Sequence, residues 1–279
     1  MRLVVLGAAG QVGRELMAWA PPLGVTVVGI DREEADLADP VALRRVLDRL
    51  APDAVVNLAA FTAVDAAEAE REAAFRMNGE VPGEIARWCR GRARLVHVST
   101  DYVFDGAKQG AWVEDDPVGP LGVYGASKAA GEAAVRESGA DHVIVRTSWV
   151  VGRYGNNFVR TIDRLASERD TLRVVSDQFG RPTPAAPLAA ALGAIACRLD
   201  ALPHQTYHFA GDPVTTWFEL ATAVAGARAT VLPIATRDWP TPARRPANSA
   251  LDCGRWLREV GIPLPDWRLG VREILREAR

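Results

Sequence analysis

The chain has 279 residues, 48% of them hydrophobic, and a formal net charge of −2 at pH 7, enough apolar material for a substantial core in one large domain or two. That balance gives no long-range pull toward nucleic acid, and the basic residues are scattered rather than striped. No apolar stretch approaches the roughly 20 residues of a membrane span and no secretory leader opens the chain, so a cytoplasmic protein without membrane or nucleic-acid partners is expected.

Met1 to Leu6 is a short apolar run, the pattern of a strand covered on both faces. Gly7-Ala8-Ala9-Gly10-Gln11-Val12-Gly13 follows, then a helical pattern through Trp19 that Pro21-Pro22 stops. Strand, glycine turn and helix make a phosphate cradle. Small residues let the backbone approach a pyrophosphate, and the helix start turns its free amides toward the anion. The spacing is Gly-x-x-Gly-x-x-Gly rather than the commoner Gly-x-Gly-x-x-Gly, and its place in the chain points to a dinucleotide held by Gly7, Gly10, Gln11, Val12 and Gly13. The next strand, Val25 to Ile30, ends at Asp31-Arg32. An acid there accepts from an adenosine ribose and a neighbouring Arg neutralises a 2′-phosphate, so NADPH is favoured while NADH stays open. Asp36 and Leu37 are candidates to line an adenine, and Asp39 is expected to cap a helix with Pro40 at its first position.

Further strands are expected at residues 53–58, 95–98 and 142–146, and helices at 40–50, 71–90 and 124–138. This alternation over about 150 residues argues for an α/β fold with a doubly wound, parallel Rossmann sheet and right-handed crossovers. Ligands of such sheets lie beyond the carboxyl ends of the strands. The candidate site is therefore Ala59-Ala60-Phe61-Thr62, Ser99-Thr100-Asp101 and Thr147-Ser148-Trp149. Residues 1–150, with about 184–212, are expected to form an NAD(P)-binding domain. Residues 151–183 and 213–279, richer in Pro, Arg and Trp, are expected to form a smaller C-terminal substrate-binding domain, with Trp217, Trp239, Trp256 and Trp267 as its packing.

Of the 33 Lys and Arg residues, Lys108 and Lys128 are the only lysines. Lys128 lies four residues after Tyr124, which on a helix puts both side chains on one face. An ammonium there lowers the phenol's pKa toward neutrality and makes it a useful acid or base. The competing reading is a surface lysine beside a partly buried tyrosine. Cys89, Cys197 and Cys253 are odd in number and lack metal spacing, and His97, His142, His204 and His208 form no ligand cluster. No metal catalysis is expected.

The residues Gly7 to Gly13, Ala60 to Asp65, Ser99 to Phe104, Tyr124 with Lys128, Arg146 to Val150, Gly155 to Phe158, Asp177 to Thr183 and Thr241 to Ser249 together resemble the extended short-chain dehydrogenases/reductases. Within that group they are most similar to the dTDP-4-dehydrorhamnose reductases. The resemblance implies NADPH-dependent reduction of the 4-keto group of dTDP-4-dehydro-L-rhamnose to dTDP-L-rhamnose. In that chemistry negative charge grows on the ketone oxygen; Tyr124 would protonate it, Thr100 would hold it by a second hydrogen bond, and Lys128 would bind the nicotinamide ribose. A strand-end hydroxyl bonded to its own backbone is the plainer reading of Thr100. Val98 and the loop Ala59 to Thr62 would complete the cofactor contacts.

Asp101 would position the sugar. Related 4,6-dehydratases carry an Asp-Glu pair after the threonine, and here the second position is Tyr102, so the elimination base is missing. Trp149 either packs on the deoxysugar or closes the core. Asn157 is a candidate for phosphate or sugar, with Asn156 assigned to cap the next helix. Arg244-Arg245, preset by Pro242 and Pro246, suit a diphosphate, with only Arg244 expected to reach it. Some related reductases dimerise through magnesium held by three glutamates. Glu15 and Glu277 match two of those positions, but Pro184-Ala185-Ala186-Pro187 holds no acid where the third would stand, which argues against Mg2+. A homodimer through other contacts stays open. The rival functions are another nucleotide-sugar reductase or epimerase, and a non-catalytic NADP-binding regulatory subunit like that of methionine adenosyltransferase.

Overall fold

The computed structural model describes residues 1–198, 202 and 206–277, and the Glu277 side chain and His204 lie outside the described residues. Six parallel strands form the central sheet: β1 (Arg2–Leu6), β2 (Thr26–Ile30), β3 (Ala54–Asn57), β4 (Arg94–Thr100), β5 (His142–Thr147) and an edge strand, Thr206–His208. Their order across the sheet is β2, β1, β3, β4, β5 and the edge strand. The chain thus steps from β1 to β2 in one direction and then returns to β1's other side for β3. This reversal leaves a crevice at the carboxyl ends of β1 and β3, where a ligand can enter between diverging connections.

Both faces of the sheet are covered, which is why β1 reads as an unbroken apolar run. Leu3 and Val5 point to the layer formed by α1 (Gln11–Ala18) and helix Ala185–Cys197, packing near Leu16, Leu188 and Leu192. Val4 and Leu6 point the other way, to the layer containing α2 (Pro40–Leu50) and helices Val81–Cys89 and Val123–Glu137, with Leu43, Leu47, Ile85 and Val135. The α2 start follows the expected chemistry: Asp39 accepts from Val41 N at 2.8 Å, with Pro40 in the first turn.

The helix expected over 71–90 is broken into Arg71–Phe75, a π-turn at Arg76–Glu80 and Val81–Cys89. Pro82 lacks an N–H, so it cannot close the regular bond to the carbonyl of Asn78. Helix Val123–Glu137 fits against that carbonyl: a Cβ on Gly131 would stand 2.1 Å from Asn78 O. The widened turn turns Asn78 inward, as π-turns beside functional sites commonly do. Its Oδ1 accepts from Phe61 N at 2.7 Å, and its Nδ2 donates to Phe61 O and Ser127 Oγ, both at 3.0 Å. One side chain therefore ties the loop after β3 to the helix that carries Tyr124.

A third apolar cluster joins helices Phe158–Glu168, Trp217–Ala225 and Trp267–Glu277 to a parallel pair of strands, Thr171–Val175 and Thr230–Ile234. Trp267 and Trp217 belong to it, as expected for tryptophans filling a thin core. The other two do not. Trp256 is buried in the sheet cluster with Leu188 and Phe209, and Trp239 is 58% exposed.

Candidate active site

The glycine turn works by close approach. Gly7 has φ +85°, and a Cβ there would stand 2.8 Å from Ala59 N, so the turn after β1 can touch the turn after β3 only without a side chain. At Gly13 a Cβ would fall 2.3 Å from Gly7 O and 2.7 Å from Ala8 Cα. Gly10 caps α1 without a side-chain hydrogen bond, which leaves the first amides of the helix to a ligand. These features are what a pyrophosphate requires, and the turn fits an NADP-type dinucleotide.

A cavity of about 1030 Å3 opens above this turn. Its wall runs from Gly7, Gly10, Gln11, Val12 and Gly13 through Asp31, Arg32 and Glu33 to Ala59, Ala60 and Thr62, and ends at Val98, Thr100, Asp101, Tyr124, Lys128 and Trp149. Residues from five strand ends and two helices are thus brought to one space. Its long shape runs from a cation at Arg32 to the Tyr124 phenol.

Several expected members are not in that wall. Leu37 is 6% exposed and packs in the sheet core beneath α2 with Leu43 and Leu47, because an apolar side chain three residues before a helix gains more from burial than from a rim. Asp36 is exposed, and its carboxylate accepts from Ala38 N at 2.9 Å to close its own turn. Phe61 packs beside Ala67, Val123 and Tyr124 under the site. The two asparagines exchange their expected places. Asn157 caps helix Phe158–Glu168, accepting from Arg160 N at 3.1 Å and donating to Gln11 Oε1 at 2.9 Å and Gly152 O at 2.7 Å, whereas Asn156 lines the cavity. The helix starts one residue later than expected, and that decides which asparagine has its oxygen free.

Asn156, Glu33, Met77, Ser99 and Thr147 also line the cavity. Ser99 and Thr147 stood within the strand-end segments marked from the sequence and Asn156 was assigned to a helix cap, whereas nothing in the sequence pointed to Glu33 or Met77.

Tyr124 and Lys128 lie on helix Val123–Glu137 in the geometry their spacing implies, and both face the cavity. Lys128 is only 3% exposed and donates to Val98 O at 2.7 Å. Burial pulls its pKa down to about 8, partly opposed by Glu132 one turn further on. Glu132 is itself buried, and against the burial that raises it Arg146 holds its carboxylate down at about 2. Arg146 donates to Glu132 Oε1 and Oε2, both at 2.8 Å. The phenol behaves differently from the expectation of a depressed pKa: removal from water pushes Tyr124 up to about 12, only partly countered by Thr100. Desolvation of the phenolate dominates here, so Tyr124 holds its proton at neutral pH.

Thr100 donates to Asp101 Oδ1 at 3.0 Å and accepts from Tyr102 N at 3.2 Å. Burial raises the Asp101 carboxyl to about 7, against the pull of Ser249 and Thr100. Tyr102 meets the Tyr124 ring edge-on at 5.9 Å. Burial raises its phenol pKa too, so the position where a dehydratase would carry a base holds a protonated phenol.

Trp149 adopts φ +45° and stacks on Trp217 with ring centroids 3.6 Å apart and planes 9° from parallel. One face is therefore closed by packing while the residue still borders the cavity. Its ring occupies the space beside Gly180, where a Cβ would come within 2.3 Å of it. Arg245 is consumed by Asp65, donating to its two oxygens at 2.9 and 2.8 Å. Arg244 is exposed and borders a small adjoining pocket that shares Tyr124, not the main cavity.

Glu15 is paired within the chain by a cation of the chain's own. Arg153 donates to both Glu15 oxygens, at 3.0 and 2.9 Å. Among the described residues no group of three or more metal-ligating side chains gathers, and no helix is long and apolar enough to cross a membrane.

The family model described as RmlD substrate binding domain matches residues 1–279. A curated dTDP-4-dehydrorhamnose reductase from Burkholderia thailandensis is 43% identical, with 99% of each chain covered. The crystal structure of dTDP-4-dehydrorhamnose reductase from Bacillus anthracis in complex with NADP superposes with a TM-score of 0.92 at 34% identity, covering 99% of both chains. An orthologous reductase structure from Clostridium acetobutylicum gives a TM-score of 0.94 at 32% identity, again covering 99% of both.

Proposed function

The chain belongs to the RmlD substrate-binding-domain family, and we propose that it catalyses the NADPH-dependent reduction of dTDP-4-dehydro-L-rhamnose to dTDP-L-rhamnose. The observation that carries the reading is the meeting of Thr100, Tyr124 and Lys128 in the wall of a cavity that begins at a dinucleotide-type glycine turn. Bound NADPH supplies hydride to the 4-keto carbon. The glycine turn and the start of α1 hold its pyrophosphate, Asp31 and Arg32 meet the adenosine ribose, and Ala59, Ala60, Thr62 and Val98 line its path toward Tyr124.

The chain's own part is to receive the charge that grows on the ketone oxygen. Tyr124, protonated at neutral pH, gives its proton to that oxygen; an alkoxide is a far stronger base than a phenolate, so even an acid with pKa about 12 is competent. Thr100 is the second donor to the same oxygen. Lys128 holds the nicotinamide ribose and places positive charge beside the phenolate as it forms. Trp149 offers the ring face left free by Trp217 to the deoxysugar, and Arg244 takes the diphosphate from the side of the adjoining pocket. Residues 151–183 and 213–279 form the sugar-nucleotide side of the site. We place the reaction in the cytoplasm, where reduced nicotinamide and nucleotide sugars are made.

The test is incubation with NADPH and a panel of 4-keto nucleotide sugars, followed at the nicotinamide absorbance. Oxidation of NADPH with the dTDP-4-dehydrorhamnose substrate, and stable product at C4, supports the reading. Turnover only with another base or sugar, or none with any ketone, overturns it.

A further inference from the structure

We propose that Asp101 is a positioning residue whose protonated carboxyl frees the Thr100 hydroxyl to bond the substrate's ketone oxygen, so that one proton switches the site on. The inference rests on the reductase reading and adds to it a control over which way Thr100 points.

Donors are scarce at this corner of the site. A threonine hydroxyl has one proton and two lone pairs, an ionised carboxylate has no proton to give, and a ketone oxygen accepts only. Thr100 Oγ1 donates to Asp101 Oδ1 at 3.0 Å and accepts the Tyr102 amide at 3.2 Å. With Asp101 ionised, the one proton of Thr100 is committed to the carboxylate, and Thr100 has nothing to offer a developing oxyanion. With Asp101 protonated, its O–H donates to the remaining Thr100 lone pair, and the Thr100 proton turns to the ketone oxygen beside Tyr124. Two acceptors compete for one hydrogen.

The surroundings of Asp101 favour the protonated form on geometry alone. The residue is 2% exposed, and its Oδ2 is buried with no hydrogen-bond partner among the described residues, a setting that is costly for a charge. The groups that bear on it are Ser249 from the C-terminal loop, Thr100 and Tyr102 from its own turn, and Tyr124 from helix Val123–Glu137. Ser249 pulls toward the carboxylate, but its hydroxyl lies 3.4 Å from Phe179 O and none of these groups is a cation. Lys128, the ammonium of the same wall, donates to Val98 O. The carboxyl titrates near 7 as a result, which places the switch in the working range. No proton leaves Asp101 in the reaction: the new C–H bond takes the hydride of NADPH, and the new O–H bond takes the proton of Tyr124.

The experiment is the pH profile of kcat for the full chain with NADPH and the 4-keto substrate, in wild type and Asp101→Asn. The carboxamide Nδ2 donates to Thr100 at every pH. Wild-type kcat is expected to fall about tenfold from pH 6 to pH 8 as the fraction of protonated Asp101 declines, while KM changes little. The Asn variant is expected to hold within about twofold of its own pH 6 value over that range. A folded Asn variant that binds NADPH but is inactive throughout shows that the carboxylate itself is needed, and overturns the inference. So does a variant that keeps the wild-type decline. Should the Asn chain not fold, Thr100→Val serves: it must lower kcat and lose the decline, since the switch acts through Thr100, and a retained decline refutes it. A wild type inactive on every ketone instead refutes the reductase reading, and the two failures are thereby distinguishable.

Discussion

Replacing Lys128 with methionine exchanges a buried cation for an apolar chain of similar length, and the structure sets the size of the effect. Burial draws the ammonium from its ordinary 10.5 to about 8. At about 1.4 kcal/mol per pH unit, keeping the charge inside costs about 3 kcal/mol of folding stability. The hydrogen bond to Val98 O at 2.7 Å offsets about 1.5–3 kcal/mol of what methionine gains, as bonds from charged donors do. Below pH 8 both folded and unfolded chains hold the lysine proton, and the cost is complete. Between about 8 and 10.5 the unfolded chain binds a proton that the folded chain has released, so the contribution of Lys128 to stability rises with pH across that window. Lys128→Met is blind to this rise. Its stability relative to wild type is therefore expected to fall by about 3 kcal/mol between pH 7 and pH 10.5, measured by urea unfolding of both chains at each pH. Cys89, Cys253 and Tyr124, all raised by burial, titrate in the opposite sense but cancel in the difference between the two chains. The same variant is expected to lose turnover at pH 7. A difference between variant and wild type that does not change with pH refutes the placement of Lys128 as a buried cation.

Tyr124→Phe removes the proton donor and leaves the ring packing, so kcat is expected to fall by about 10²–10⁴, with NADPH affinity from fluorescence titration within about twofold; retained turnover removes Tyr124 from the chemistry. Arg32→Ala should weaken NADPH by about tenfold and NADH much less, since one charge-assisted contact to a 2′-phosphate is worth about 1–2 kcal/mol; equal losses show no discrimination at this residue. Gly13→Ala places a methyl 2.3 Å from Gly7 O, so the turn must open; dinucleotide affinity is expected to drop by about tenfold or more, and unchanged titration would refute the close packing of the turn.

The alternation of apolar runs with amphipathic segments was enough to read the parallel sheet, because strands such as β1 are buried on both faces and read as continuous apolar runs. Helix Val123–Glu137 was legible for a similar reason: the spacing of Tyr124 and Lys128 has one geometric meaning on a helix. Asn78 was not legible. Its role arises from a π-turn set by Pro82 four residues after the turn's centre and by Gly131 on another helix. The asparagine pair shows how fine the limit is, since moving the start of one helix by a single residue exchanged the cap and the cavity wall. Leu37 and Trp256 were assigned by neighbourhood in the chain and found their cores elsewhere.

What the order of residues determined alone is the local chemistry: a phosphate turn, a helix with a phenol and an amine on one face, and a hydroxyl at a strand end. Tertiary structure decided the charge states. The same lysine would be an ordinary solvated ammonium on a surface; under the sheet, burial draws it toward neutrality against the pull of Glu132. Tyr124 keeps its proton, Asp101 titrates near neutrality, and Arg245 rather than Arg244 is neutralised by Asp65. Spacing along a chain carries no information about solvent access or about which distant carboxylate arrives, and those two quantities set the electrostatic energy of every group in the site.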